Sequence, residues 1–73
     1  MTKTVHHINV IVNGKIADTV VLLDKGGNHA TISNKGHILF DGYILEAYKI
    51  WENKMKEYKS FSEMGFLSIE IIK

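Results

Sequence analysis

Four histidines, scattered carboxylates and a few hydroxyls are the residues of this 73-residue chain that can do chemistry, and their spacing decides how much. His6 and His7 are neighbours in a strand-like run, so they point to opposite faces and cannot chelate one ion together. His29 and His37 share one face of a hairpin but stand four positions apart along it. At ~3.3 Å per residue that is about 13 Å, too far to share a metal that needs three or four convergent ligands. His29 opposite Asp41 is the one pair placed to interact. Ser33 lies about 13 Å along the same strand from His29 and Thr31 about 6.6 Å, by the same rise, whereas a nucleophile must come within ~3 Å of its base. Asp18, Asp24, Asp41 and the later glutamates fall on separate elements. Gly26-Gly27 lacks both the strand-to-helix setting and the lysine-hydroxyl ending of a phosphate loop. The expectation is a non-enzymatic protein with no catalytic residues, no metal site and no cofactor.

The elements that position these residues are marked by turns. Asn13-Gly14 suits a two-residue type I′ loop, in which both central residues take positive φ. Counting outward pairs Val12 with Lys15, Ile11 with Ile16, Val10 with Ala17, Asn9 with Asp18, Ile8 with Thr19, His7 with Val20, His6 with Val21 and Val5 with Leu22. Alternation then puts Val5, His7, Asn9, Ile11, Ile16, Asp18, Val20 and Leu22 on one face. The other face carries His6, Ile8, Val10, Val12, Lys15, Ala17, Thr19 and Val21. Both faces are apolar at five positions of eight, so both call for cover. We therefore expect a helix on one face and a second copy of the chain on the other, with Ile8, Val10, Val12 and Val21 as self-association residues.

Asn34-Lys35-Gly36 reads as a three-residue loop ending in a left-handed glycine. This register opposes Ser33 to His37, Ile32 to Ile38, Thr31 to Leu39, Ala30 to Phe40 and His29 to Asp41. Asp24 to Asn28 is turn chemistry throughout, and its paired glycines mark it as the mobile connection between hairpins. After Asp41, a candidate N-cap, the period changes: Ile44, Ala47, Tyr48, Trp51, Met55 and Tyr58 recur at spacings of three and four, as on the buried stripe of a helix. Lys54, Lys56 and Lys59 favour a helix end near Lys59 through the helix dipole. Phe66 to Ile72 alternates again, with Leu67, Ile69 and Ile71 on one side. The predicted fold is α+β over residues 1–73 as one domain: two antiparallel β-hairpins, one long amphipathic helix across the sheet and a C-terminal closing strand.

Composition narrows the partners. No cysteine is present, which excludes disulfides and thiolate metal sites and suits a reducing cytoplasm. No signal peptide or membrane span is visible in the chain. Nine lysines against eight acidic residues leave a net charge of +1, and arginine, the commonest reader of guanine, is absent. Lys49, Lys54, Lys56 and Lys59 are interleaved with Glu46, Glu52 and Glu57, the pattern of a solvated helix face. Nucleic acid is thus the second reading. The first is a protein-interaction module that modulates a larger host protein, self-associates, and uses the off-stripe residues Tyr43, Leu45 and Ile50 for partner contact. A third reading is a dimer that sequesters a small ligand on His29, Asp41, Gly26 and Gly27. The lysine-only, isoleucine-rich, proline-free composition points to an AT-rich coding sequence, as in a low-GC bacterium or its phages.

Overall fold

The computed structural model describes residues 2–72. Its strands are β1 (Lys3–Val12), β2 (Lys15–Gly26), β3 (His29–Asn34), β4 (His37–Tyr43) and β5 (Ser68–Ile71), with helix α1 (Ile44–Glu63) between the last two. All five strands are antiparallel in one sheet of order β4-β3-β2-β1-β5, and α1 crosses one face of it. The architecture is the α+β arrangement of two hairpins, helix and closing strand.

Asn13 and Gly14 take φ values of 53° and 77°, as the type I′ loop requires, and Val12–Lys15 and Ile11–Ile16 pair as counted from it. The count then breaks. Val10 pairs with Asp18, leaving Ala17 as a β-bulge, and the pairs beyond become Asn9–Thr19, Ile8–Val20, His7–Val21 and His6–Leu22. One slipped residue exchanges the faces of a strand. Val20 and Leu22 consequently join Ile8 and Val10 under the helix, while Thr19 and Val21 turn to the other side. The expected pair of apolar faces is therefore corrected to one apolar face and one mixed face. The physical reason is burial, since all four residues enter a core completed by Ala30, Ile32, Ala47 and Trp51.

The second hairpin also departs from its expected register. Its loop has two residues, Lys35 and Gly36, with φ of 51° and 84°, and Asn34 belongs to the ladder opposite His37. Asn34 is held there by its side chain: Nδ2 donates to Asp18 (3.0 Å) and Oδ1 accepts the Thr19 backbone N–H (3.1 Å). A bulge at Leu39 then sets Ile32 opposite Phe40, Thr31 opposite Asp41 and His29 opposite Tyr43. The connection between the hairpins, expected to span Asp24 to Asn28, is shorter, a third two-residue turn. β2 runs to Gly26, only Gly27 and Asn28 intervene, and the Asp24 carboxylate accepts the Gly26 N–H at 2.8 Å.

That turn also starts the helix. Asp41 stays in β4 and does not cap; the N-cap is Tyr43, without a side-chain hydrogen bond, and the Ile44 N–H donates to the Asn28 carbonyl at 2.8 Å. Of the predicted stripe, Ala47 and Trp51 are buried, and Ile44, Met55 and Tyr58 pack against the core. Tyr48 is 37% exposed, and Ile50 takes a place against the core in its stead. The helix passes Lys59 and runs to Glu63, with no basic residue in its last turn. It is stopped by a Schellman motif: Phe66 N–H donates to Phe61 O, Gly65 N–H donates to Ser62 O, and Gly65 takes φ 86°. The Phe61 and Phe66 rings, 6.4 Å apart, supply the apolar contact that accompanies such a stop. β5 then returns along the free side of β1, with Val10 opposite Ile69 and Ile8 opposite Ile71.

One polar contact locks the helix to the sheet. Tyr58 Oη donates to Asp18 Oδ2 at 3.1 Å, and burial, aided by that hydrogen bond, pushes the phenol up to about 12. Substitutions on the helix test its phase. Trp51→Ala should cost about 3–5 kcal/mol, the usual range for truncating a buried large aromatic, whereas Tyr48→Ala should change stability by less than about 1 kcal/mol. Chemical denaturation of both variants checks this; equal losses would contradict the helix orientation.

Candidate functional site

The four expected self-association residues do not share a surface. Ile8 and Val10 are buried beneath α1, Val12 is half-buried, and the bulge at Ala17 sends Val21 to the opposite face. That opposite, uncovered face is broken by polar rows. Thr19 Oγ1 donates to Asn9 Oδ1 at 3.0 Å, and Asn9 Nδ2 donates to Glu70 Oε1 at 3.2 Å, a ladder across three strands. The apolar residues between these rows include Ile11, Val21 and Leu23, all half-buried.

A second polar group on this face contains the histidine–aspartate pair. His29 and Asp41 are diagonal neighbours, not the direct partners expected, yet His29 Nε2 meets Asp41 Oδ1, and Thr31 Oγ1 donates to the same oxygen at 3.2 Å. An ionised carboxylate only accepts, so the histidine nitrogen is the donor. This hydrogen bond, followed by the attraction of His29 and Lys25 and the bond from Thr31, holds the Asp41 carboxyl below the usual carboxylate range against some desolvation. The threonine binds the aspartate and not the imidazole, so the arrangement fixes β3 to β4 and activates no nucleophile. Gly26 ends β2 opposite His29, and Gly27 is the first residue of the turn between them. No group of three or more histidine, cysteine, aspartate or glutamate side chains able to hold a metal occurs among the described residues.

The expected partner-contact residues divide as well. Tyr43 and Leu45 are 51% and 54% exposed, whereas Ile50 packs against the core and is removed from the candidate surface. Two residues not anticipated join Tyr43 and Leu45: Ile38, 63% exposed, and Leu39 at the bulge, 48% exposed. All four lie on β4 or on the helical turn that follows it, and β4 is an outer strand of the sheet. Its outward N–H and C=O groups have no strand neighbour, and its seven residues include neither lysine nor proline, the usual guards of an edge.

At the other end of the sheet, a groove of about 360 Å3 lies between α1, β1 and β5. Val5, Ile8, Trp51, Met55, Ile69 and Ile71 form its apolar walls, and Lys59 and His6 stand among its polar lining. The His6 ring stacks on Trp51, with centroids 5.4 Å apart and planes 15° from parallel. None of His29, Asp41, Gly26 or Gly27 reaches this groove. It depends on the β1–β5 pairing, between residues some 60 positions apart, which no local pattern announces. The available signal was His6 itself, a histidine in line with Ile8 and Val10.

No known protein family, curated protein or solved structure matches the chain. No helix among the described residues is long and apolar enough to cross a membrane.

The pH dependence of Asp41 checks the polar cluster. A carboxyl whose folded pKa lies below its unfolded value stabilises the fold fully above the unfolded value and loses that contribution as pH falls through the folded one. The stability advantage of wild type over Asp41→Asn should therefore be constant above about pH 5 and shrink as pH drops below the ordinary value of 3.8. Paired thermal melts across pH 2.5–6 measure it; an advantage that grows with acidity would contradict the assignment.

Proposed function

We propose that this protein is a small non-enzymatic interaction module that binds a protein partner along its β4 edge. The observation that carries the reading is the open edge itself: an outer strand without lysine or proline, bordered by exposed Ile38, Leu39, Tyr43 and Leu45, and interrupted by the bulge at Leu39. Such an edge accepts an extended segment by strand addition, in which main-chain hydrogen bonds supply affinity and flanking apolar side chains supply selectivity. The bulge at Leu39 bends the ladder and limits the length of segment that can add.

Charge favours a protein over nucleic acid, because lysines and glutamates alternate on the helix and no arginine is present. The uncovered sheet face is the poorer candidate for self-association, since the Thr19–Asn9–Glu70 and Thr31–Asp41–His29 groups interrupt its apolar surface. A cysteine-free, lysine-only chain accords with the cytoplasm of a low-GC bacterium or with a phage that infects one, where the partner would be a larger host protein.

Affinity capture from such a lysate, with and without nuclease, tests the proposal against Ile38→Lys/Leu39→Lys, which installs guards at exposed positions. The expected result is a stoichiometric, nuclease-resistant partner whose affinity drops at least tenfold in the double variant, as loss of contacts worth about 2 kcal/mol requires. A partner retained equally by the variant, or released by nuclease, would overturn it.

A further inference from the structure

The groove between α1, β1 and β5 has the features of a small-molecule site, independent of the β4 edge. Its volume of about 360 Å3 falls at the low end of ligand cavities, which run from roughly 300 to 1,000 Å3, so it suits a single short chain or one ring system. Its walls are mostly hydrocarbon, with the indole of Trp51, whose face is partly shielded by the stacked His6 ring, and with His6, His7 and Lys59 as the polar side chains. Among the described residues that line it, Lys59 is the one lysine and none is aspartate or glutamate. A mostly apolar slot whose described rim carries an ammonium and no carboxylate favours an apolar body with an anionic head, because a cationic head would be repelled by Lys59 and find no countercharge among the described lining residues.

We propose that this groove binds a small amphiphilic carboxylate, of the medium-chain fatty acid class, with the chain along Trp51 and Ile69 and the head at Lys59. The geometry also explains an oddity of β5: Ile71 is 72% exposed although it stands opposite buried Ile8, and a bound chain would cover it.

The chain contains one tryptophan, on the groove wall and 6% exposed, so its emission reports occupancy directly. Decanoate, decanol and decyltrimethylammonium, each titrated below its micelle concentration into the full chain, are the probes. Decanoate should give a saturable change in Trp51 emission, decanol a weaker one and the cationic amphiphile none. Lys59→Ala should weaken decanoate roughly tenfold, the equivalent of one charge-assisted contact of about 1.5 kcal/mol. Ile71→Glu, made at an exposed position so that the fold is kept, should abolish binding by placing a carboxylate at the groove. Circular dichroism melts confirm that both variants are folded. No saturable change with decanoate, equal binding of the cationic amphiphile, or unaltered affinity in folded Lys59→Ala would overturn the proposal.

Discussion

Ala17 has no partner on β1, and the sidedness of the sheet depends on that vacancy. Without the bulge, Val20 and Leu22 would stand on the face opposite Ile8 and Val10, and the branched side chains would be divided between the two faces. With it, four branched side chains from two strands converge, and β3 adds Ala30 and Ile32 in line with Leu22. The same displacement brings Asp18 to the helix side. There it receives hydrogen bonds from Tyr58 and Asn34, so the bulge also places the polar lock between α1 and the sheet. Bulges disrupt the ladder locally, but the burial of Val20 and Leu22, worth about 1.5–3 kcal/mol each, outweighs the irregularity.

The path of the helix sets where binding can occur. α1 leaves the end of β4, crosses the sheet and delivers the chain to the free side of β1, where the glycine stop at Gly65 turns it into β5. One sheet edge is thereby extended by β5, while the other, β4, is left as it is. The closing strand is short and ends near His7, whose carbonyl accepts the Ile72 N–H at 2.9 Å. Beyond that point Val5 and His6 line the groove with Trp51, Met55 and Lys59. The open edge and the groove are both consequences of how far four short elements reach.

Much of the fold was legible because its signals are local. Asn13-Gly14 sets its own turn, and the three-and-four spacing of Ala47, Trp51, Met55 and Tyr58 sets the helix. Alternation from Leu67 to Ile71 marks the last strand. Register was not legible, because counting from a turn assumes an unbroken ladder, and the bulges at Ala17 and Leu39 are decided by which side chains the helix can bury. The same competition moved Tyr48 outward and Ile50 inward, and it kept Asp41 in β4, where Thr31 and His29 satisfy its carboxylate. Of the candidate contacts, Tyr43 and Leu45 were found by their position off the stripe. Ile38 and Leu39 were not, because the expected pairing set them opposite Ile32 and Thr31 in an unbulged ladder.

Cross-strand nuclear Overhauser effects in the β1–β2 hairpin test the bulged register most directly, because directly opposed residues in an antiparallel pair bring their Cα atoms within about 4.5–5.5 Å. The account predicts contacts of Asn9 with Thr19 and of Ile8 with Val20, and no direct partner for Ala17. Direct pairing of Asn9 with Asp18 and of Ile8 with Thr19 would show a regular ladder, place Val20 and Leu22 on the other face, and contradict the core described here.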